Sequence, residues 1–317
     1  MRVLVQKYGG SSVSTIAKIH RVADRIAETV ADGTRLAVVV SAMGNTTSEL
    51  LALARSVAAR PGRRELDLLI SVGERVSMTL LAMAIQDLGV DAASFTGSQS
   101  GIITDERHAS ARVLEVRPHR IREALEAGQV AIVAGFQGVS RAREVTTLGR
   151  GGTDTTAVVL AAALGAAYCE ICSDVDGIYS ADPRVVPQAQ KLDELPLDGA
   201  IALGAAGSKV LLTDALEYAR RHGVKLHAGA TDRPSGTGTA LPPGRAPDRV
   251  TAIAADAQLL HVRAGSLSTA GALAGMARAW WTEGDQLNAL LDRRNLHSES
   301  LIPGSWSVVG PVATVTA

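Results

Sequence analysis

Residues 2–12 have the sequence RVLVQKYGGSS. Val3–Gln6 is predicted to be a strand, and a helical pattern runs from Thr15 to Ala31. The two glycines between them let the backbone approach a ligand closely, and the helix start offers free N–H groups to an anion. Lys7 at the strand end adds a full positive charge. This arrangement suits a phosphoryl group in transfer, although the segment alone would equally suit a turn with a surface lysine.

The same alternation of short apolar runs and longer helical patterns continues to about residue 230. Predicted strands are Val3–Gln6, Leu36–Val40, Ala93–Phe95, Val130–Val133, Tyr168–Ile171 and Val224–His227. Predicted helices are Thr15–Ala31, Ser48–Ala59, Glu65–Leu88, Pro118–Ala127, Thr155–Leu164 and Asp214–His222. Because the apolar runs lack strict alternation, the strands should be buried on both faces. The sequence therefore predicts an α/β fold, a three-layer αβα sandwich with a mostly parallel central sheet.

Composition narrows the class of protein. The chain has 317 residues, with 32 Lys+Arg against 32 Asp+Glu, so no basic excess points to a nucleic-acid partner. Hydrophobic residues make up 46%, which excludes a disordered chain. No run of 18 apolar residues and no signal-peptide pattern is found, so we expect no membrane span and a cytoplasmic location. Cys169 and Cys172 lie in a predicted strand, which makes zinc binding or a redox role improbable.

Two domains are expected, spanning residues 1–248 and 249–317. Between residues 232 and 248 prolines and glycines accumulate without periodicity, which indicates a linker or an irregular closing segment. Beyond it, Val250–Arg263 is predicted to be a strand and Thr269–Trp281 a helix. Gln286–Leu291 and Trp306–Thr316 are candidates for further strands. A tail of about 67 residues is small for an independent domain.

Residues 41–47, SAMGNTT, follow a predicted strand and precede a helix. Small hydroxyl residues at the carboxyl end of a strand commonly line a ligand crevice in open α/β sheets. Taken alone, Thr47 is better explained as the N-cap of the following helix.

Residues 148–155, LGRGGTDT, precede an alanine-rich helix. Arg150 is suited to a forked grip on a carboxylate, and Asp154 to orienting a lysine or water, or to capping the helix. So many glycines beside opposite charges cost backbone entropy, which favours a functional role.

Residues 173–184, SDVDGIYSADPR, carry an acidic cluster after another predicted strand. The twelve-residue calcium loop pattern is absent, because no Glu occupies its last coordinating position. A turn that places Tyr179 and Asp182 around a nucleotide is the alternative. Lys209, in a Gly-Ser-Lys turn, is a weak signal by itself. The Asp105–His108 segment is most simply a solvated loop, and the histidines show no ligand spacing.

Together these segments resemble the amino acid kinase family and, within it, the aspartokinases. The matching motifs, in family order, are KYGGSSV (7–13), VVSAMGNTTSELL (39–51), SVGERVS (71–77), FTGSQSG (95–101), VAGFQG (133–138), TTLGRGGTDTTA (146–157) and SDVDGIYSADPR (173–184). Seven motifs in the same order over about residues 1–230 make this resemblance very specific.

The resemblance implies transfer of the γ-phosphoryl of ATP, with Mg²⁺ carried by the nucleotide, to the side-chain carboxylate of L-aspartate. It implies that Lys7 neutralises the phosphoryl group and that Asp154 holds Lys7. The implied substrate residues are Ser41, Thr47, Glu74, Arg150 and Thr153. The implied nucleotide residues are Lys7, Gly9, Gly10, Ser11, Ser173, Asp174, Tyr179, Asp182, Arg184 and Lys209. Within these sets, Arg150 would grip a carboxylate and Glu74 would meet the substrate ammonium. No protein metal site is implied.

Several positions depart from the family pattern. Thr153 replaces the usual serine, and Asp214 stands where the family often has arginine; we expect it to cap the next helix. His227–Ala230 replaces an Arg-Ser-Ser type of strand end. Family members usually end in two ACT domains that pair between subunits, whereas residues 249–317 suffice for one ACT-like unit at most.

The resemblance therefore implies an aspartate kinase that is assembled as a homodimer. Because the tail is short, we expect weak or no inhibition by lysine and threonine. Two alternatives stay open. One is a kinase for a related small amino or carboxylic acid in a specialised pathway, against which Glu74 and Arg150 argue. The other is a non-catalytic regulatory paralogue, against which the retained Lys7, Asp154 and Lys209 argue.

Overall fold

A computed structural model describes residues 2–149, 151–208, 211–245, 251–264, 277–283, 286–292 and 306–316. The chain divides into two compact units. The first comprises Met1–Tyr179, Gln190–Gly204 and Lys209–Asp248, and the second Ser180–Ala189, Ala205–Ser208 and Arg249–Ala317.

The first unit contains eight helices and eleven strands among its described residues. Its strands are β1 (Val3–Tyr8), β2 (Arg35–Val40), β3 (Ala92–Phe95), β4 (Ile102–Thr104), β5 (Val113–Val116), β6 (Val130–Ala134), β7 (Gln137–Ser140), β8 (Val145–Thr147), β9 (Cys169–Ser173), β10 (Leu226–Ala230) and β11 (Thr239–Leu241). Its helices are α1 (Ile16–Val30), α2 (Thr46–Val57), α3 (Arg63–Ile70), α4 (Val72–Asp87), α5 (His119–Glu126), α6 (Gly152–Leu164), α7 (Leu197–Ala205) and α8 (Thr213–His222).

A seven-stranded sheet forms the centre of this unit, in the order β11-β10-β9-β1-β2-β6-β3. All neighbouring pairs are parallel except β10 with β11. The last five residues of β2 and all of β6 are buried, as expected for strands covered on both faces. The prediction of a three-layer sandwich with a mostly parallel sheet is confirmed.

Alternate side chains of each central strand enter two separate cores. Leu4 and Val38 pack with α1 and α4 on one face of the sheet. Val5 and Val39 pack with α5, α6 and α8 on the other. Because successive strand residues point to opposite faces, one apolar strand supplies both cores.

A second, four-stranded sheet of the first unit has the order β5-β4-β7-β8. None of its strands was predicted, because each has only three or four residues and lacks a long apolar run. The short β11 and the helix α7 were also missed. In particular, the segment expected as a linker from residue 232 contains β11, which pairs with β10 of the main sheet.

The predicted helix Glu65–Leu88 is two helices, α3 and α4, separated at Ser71. The helical segment Arg63–Asp87 is long and apolar enough to cross a bilayer, and 56% of its most apolar window is buried inside the protein. Core helices pass the same length and hydropathy test, so this segment is weak support for a membrane span.

The second unit contains β12 (Ala254–Ala264), β13 (Ala277–Glu283), β14 (Gln286–Asp292) and β15 (Trp306–Thr316). They form an antiparallel sheet in the order β13-β14-β12-β15. The prediction of a helix extending to Trp281 is wrong, because both Trp280 and Trp281 lie on β13. Trp281 stacks on His261 of β12 with ring centroids 5.1 Å apart. Residues 269–276 of that predicted helix lie outside the described residues.

Candidate active site

An ion pair joins the end of the first strand to the start of the sixth helix. The Lys7 ammonium nitrogen lies 2.7 Å from Oδ1 of Asp154, and the two side chains are 13% and 10% exposed. Gly151 occupies the N-cap position of α6, and no side chain caps this helix. Asp154 is therefore not a helix cap; it lies in the first turn of α6 and pairs with Lys7.

Backbone donors surround this ion pair. The N–H groups of Gly10 and Ser11 find no acceptor among the residues that the structure describes. A Cβ at Gly9 would lie 3.4 Å from Lys7 Nζ, so the ammonium is next to the glycine backbone. The Lys18 ammonium donates to the carbonyl of Ser11 at 2.8 Å and brings a second cation to the loop. The arrangement can hold an anion such as a phosphate.

The loop after β1 lies directly against the loop after β2. The N–H of Gly44 donates to the carbonyl of Gly10 at 3.1 Å, and that of Ser41 to the carbonyl of Tyr8 at 3.0 Å. A Cβ at Gly10 would lie only 2.9 Å from the carbonyl oxygen of Ala42, so this contact requires glycine.

Glu74 on α4 places a buried carboxyl group beside the same loops. Its side chain is 3% exposed, and Oε1 accepts a hydrogen bond from the N–H of Ala42 at 3.2 Å. Oε2 is buried and has no partner among the described residues. Burial raises the pKa of this carboxyl to about 7, although the backbone hydrogen bond from Ala42 opposes the increase. A buried oxygen without a donor suggests a ligand that supplies one.

The remaining predicted substrate residues flank Glu74 and Asp154. Thr47 is not the N-cap of α2: Asn45 takes that position, and Thr47 lies half-buried in the first turn. Thr153 is buried beside Gly135, where an added Cβ would be 2.5 Å from its Cγ2. With Ser41, these groups surround the carboxyl ends of β1, β2 and β6, where ligands bind in open α/β sheets.

Ser173, on the predicted nucleotide side, is the last residue of β9. It lies next to residues 9–12, which we call the glycine loop. The Thr231 hydroxyl donates to the carbonyl of Ser173 at 3.0 Å and lies 2.7 Å from the hydroxyl of Ser12. Tyr179 donates its hydroxyl to Oδ1 of Asp176 at 2.8 Å, which lowers the pKa of that carboxyl. Asp174 follows Ser173 directly in the same loop.

Four predicted residues do not belong to the described part of the first unit. Asp182 and Arg184 belong to the second compact unit, where they form an exposed ion pair of 2.8 Å. Arg150 and Lys209 lie outside the described residues.

Asp214 is not a cap, since Leu212 takes the N-cap position of α8 and Asp214 lies in its first turn. There its negative charge interacts favourably with the positive, N-terminal end of the α8 dipole. In the described parts of the chain, no three His, Cys, Asp or Glu side chains cluster as metal ligands would.

Sequence reasoning missed a buried polar network beneath β1 and β9. Arg25 of α1 lies 3.0 Å from Glu170, and the two side chains are 6% and 1% exposed. Glu170 also accepts hydrogen bonds from Gln6, Ser235 and the N–H of Gly236. An arginine on the apolar face of α1 was the available signal. The network anchors the chain between β10 and β11 against β9.

The two cysteines belong to the same region. Cys169 and Cys172 are both buried and free, and burial raises the pKa of Cys172 to about 12. A thiol with so high a pKa stays protonated, which agrees with packing rather than reactivity.

Phe136 follows β6 with a φ of +65°, a backbone conformation that bulky residues rarely adopt. Its N–H donates to the Thr156 hydroxyl at 3.1 Å, and its carbonyl accepts from the N–H of Leu148 at 2.9 Å. A Cβ at Gly152 would lie 2.9 Å from the Phe136 ring. These contacts hold the strained residue against the start of α6.

Similarity to known proteins identifies the family of this chain. The sequence model of the amino acid kinase family matches residues 2–228. This chain belongs to the amino acid kinase family. It is 56% identical over 227 residues to an aspartokinase of Corynebacterium efficiens, covering 71% of this chain and 54% of the relative. An aspartokinase of Thermus thermophilus is 54% identical over 227 residues, covering 72% and 56% respectively. The chain thus spans about half the length of the curated relatives that it matches.

Among solved structures of amino acid kinase family members, Escherichia coli aspartokinase III in complex with lysine and aspartate is similar, with a TM-score of 0.82 and 26% identity. The alignment covers 99% of this chain and 85% of that one. An aspartate kinase from Synechocystis has a TM-score of 0.69 and 34% identity, covering 99% and 58%.

Proposed function

We propose that this chain is an aspartate kinase that transfers the γ-phosphoryl group of ATP to the side-chain carboxylate of L-aspartate, giving 4-phospho-L-aspartate and ADP. The observation that carries the proposal is the Lys7–Asp154 ion pair, with unpaired backbone N–H groups around it and the buried Glu74 carboxyl nearby. The names of the aspartokinase relatives support the choice of acceptor.

In this mechanism Lys7 neutralises the negative oxygens of the phosphoryl group as they move from ADP to the acceptor. The N–H groups of Gly9, Gly10 and Ser11 donate to the same oxygens. Asp154 keeps the Lys7 ammonium at the site. A carboxylate is already a nucleophile at neutral pH, so its oxygen forms the new bond to phosphorus while the bond to ADP breaks, without a general base. Positioning and charge neutralisation then supply most of the rate.

The acceptor half is assigned to Ser41, Thr47, Glu74, Thr153 and Arg150. Oε2 of Glu74 is the acceptor expected for the substrate ammonium, because it is buried and lacks a donor. Arg150 would grip a substrate carboxylate. The donor half is assigned to Ser173, Asp174, Tyr179, Asp182, Arg184 and Lys209, and Mg²⁺ is expected to arrive with the nucleotide.

The second compact unit is proposed to be an ACT-like domain, with the catalytic domain spanning residues 1–248 and the small domain 249–317. Its antiparallel order, with the second, third, first and fourth strands adjacent, is that of a split βαβ arrangement. We expect a cytoplasmic homodimer with weak or no inhibition by lysine and threonine. Strong inhibition by millimolar lysine in a kinase assay would overturn the last point.

The proposal is tested by measuring ADP release from MgATP with L-aspartate, L-glutamate, D-aspartate and succinate as acceptors. Aspartate should be preferred, and hydroxylamine should trap its acyl phosphate. Succinate has both carboxylates but no ammonium, so it should be a poor acceptor for the wild-type protein. No ADP release with aspartate, despite ATP binding by calorimetry, would favour a non-catalytic paralogue. Preference for another acid would favour the related-kinase alternative.

A further inference from the structure

Asp67 of α3 is a fully buried carboxylate outside the set of predicted site residues. It is 0% exposed and accepts hydrogen bonds from the Thr147 hydroxyl at 2.6 Å and the Thr147 N–H at 3.1 Å. The N–H of Ala109 donates to both of its oxygens, at 3.0 and 3.1 Å, and Nδ1 of His108 lies 2.8 Å away. A charge this deeply buried is costly unless its donors are held in place.

One turn at the end of α3 is hydrogen-bonded to one residue pair of the β7–β8 ladder. Asp67 lies on α3, and Ser71 is the residue that caps its C-terminal end. Because they are four residues apart, they lie on the same face of the helix. Asp67 accepts from Thr147 of β8, while the carbonyl of Ser71 accepts from the Gln137 side chain of β7 at 3.0 Å. Gln137 and Thr147 are direct partners in the β7–β8 ladder. The helix is therefore fixed to this strand pair at two adjacent points.

The loop before β5 covers the other side of Thr147. The N–H of Ala111 donates to the Thr147 carbonyl at 2.9 Å. Ala109, whose N–H binds Asp67, has a φ of +69°, an unfavourable conformation for alanine. A Cβ at Gly149 would lie 3.4 Å from the Ala109 carbonyl oxygen. The expectation that the Asp105–His108 segment is only a solvated loop is thus wrong for His108, which is 19% exposed and contacts Asp67.

The two ends of this cluster lead to two residues of the site, Glu74 and Asp154. Along the chain, Asp67 on α3 precedes Glu74 on α4 by seven residues, across the break at Ser71. Thr147 likewise precedes Asp154 by seven residues, through the loop that includes Gly149 and Gly151. The Asp67 carboxylate thereby joins α3, which leads into the helix that carries Glu74, to the strand end that leads to Thr153 and Asp154.

We propose that Asp67 is a positioning residue for the acceptor: its carboxylate, held between Thr147 and Ala109, sets the separation between Glu74 and the segment that runs from Thr147 to Asp154. The inference rests on the proposed function, because it concerns the aspartate half of that same site. Among the described residues, no hydrogen bond joins Asp67, Thr147, Ala109 or His108 to β9 or to the loop after β1. Loss of the carboxylate should therefore weaken aspartate use and leave ATP use unchanged.

The test is Asp67→Asn, which keeps the size of the side chain but turns an NH₂ group toward N–H and O–H donors. The KM for aspartate should rise at least tenfold, whereas the KM for ATP should stay within about twofold. Thr147→Val removes only the hydroxyl donor and should shift the aspartate KM in the same direction by less. If Asp67→Asn does not fold, Thr147→Val decides the question.

Glu170→Gln is the matched control, since Glu170 is an equally buried carboxylate on β9 that pairs with Arg25. It should lower the thermal unfolding midpoint without raising the aspartate KM. An aspartate KM within twofold of wild type in both Asp67→Asn and Thr147→Val overturns the inference. A rise in Asp67→Asn that Glu170→Gln matches at equal loss of thermal stability overturns it too.

Amide hydrogen exchange separates this inference from the proposed function. Peptides covering residues 145–155 should exchange faster in Asp67→Asn than in wild type, and Glu170→Gln should leave them unchanged. This measurement needs no catalytic activity. A wild-type chain that releases no ADP with aspartate overturns the proposed function alone, whereas unchanged exchange at 145–155 overturns the role of Asp67.

Discussion

The Lys7 ammonium nitrogen lies 2.7 Å from Oδ1 of Asp154, although the residues come from the first strand and the sixth helix. The contact forms because β1 is central in the sheet and α6 packs across it, so that the strand's carboxyl end meets the helix start. The Asp154 carboxylate keeps a cation beside the unpaired N–H groups of the glycine loop. The pair is the centre of the proposed mechanism.

Glu74→Gln should stabilise the protein more at alkaline pH than at acidic pH. Burial raises the pKa of Glu74 from 4.5 to about 7, so the folded state favours the protonated carboxyl. The contribution of Glu74 to stability is therefore greatest below pH 4.5 and is lost as pH rises through about 7. The ionised group costs up to about 3 kcal/mol. Thermal unfolding at pH 8 should show Glu74→Gln several degrees above wild type, with a smaller difference at pH 5. Glu126→Gln, on the surface of α5, should change neither midpoint.

The same carboxyl should make aspartate binding depend on pH. A substrate ammonium binds the ionised form of Glu74, so the aspartate KM of wild type should rise as pH falls from 8 to 6. Glu74→Gln should have a higher aspartate KM that varies little across this range. Initial rates of ADP release at several pH values check this. A wild-type KM independent of pH, or unchanged by the substitution, would remove Glu74 from the substrate site.

Gly10→Ala should separate the loops that follow β1 and β2. The new Cβ would lie 2.9 Å from the Ala42 carbonyl oxygen and 3.3 Å from that of Gly44, both backbone atoms that cannot rotate away. A displacement on this scale should lower kcat/KM by about ten- to a hundredfold. Gly62→Ala is the control, because a Cβ there has nothing within 4 Å. Equal activity of the two variants would show that the close approach is unimportant.

Arg25→Ala should be strongly destabilising because it leaves the Glu170 carboxylate buried without its cation. Removing one partner of a buried ion pair costs about 3–5 kcal/mol. Arg117→Ala breaks an exposed pair with Glu115, whose side chains are 59% and 43% accessible, and should cost at most about 1 kcal/mol. Chemical denaturation of both variants measures the difference. Similar free energies of unfolding for the two would contradict the role assigned to the buried network.

Much of the main sheet could be predicted from sequence because its strands are buried on both faces. Such strands are continuous apolar runs, as in β2 and β6, and their order along the chain alternates with helices. The small sheet could not be predicted in this way, since β4 and β8 have three residues each and depend on tertiary contacts. The β13 strand was mistaken for a helix for a related reason, because its alternation is short and its flanks contain many alanines and glycines.

The candidate site was predicted where residues stand in motifs, and missed where they act through buried contacts. Lys7 follows a predicted strand, Asp154 precedes a predicted helix, and Glu74 lies within a predicted helix in the motif of residues 71–77. Asp67 lies in the apolar stretch Leu66–Ile70, where a single charge was the only signal. Its meaning depends on Thr147 and Ala109, which are distant in sequence and meet it only in the folded chain.

Steady-state ADP release by Lys7→Ala, with MgATP and L-aspartate, tests the account most directly. Because Lys7 acts on the phosphoryl group in transfer, kcat should fall by about 10²- to 10³-fold while the variant stays folded, with a lower thermal unfolding midpoint because Asp154 loses its cation. Lys225→Ala changes an exposed lysine just before β10, at the amino ends of the parallel strands, and should retain wild-type activity. A folded Lys7→Ala variant with kcat within a few-fold of wild type would contradict the central role of the Lys7–Asp154 pair.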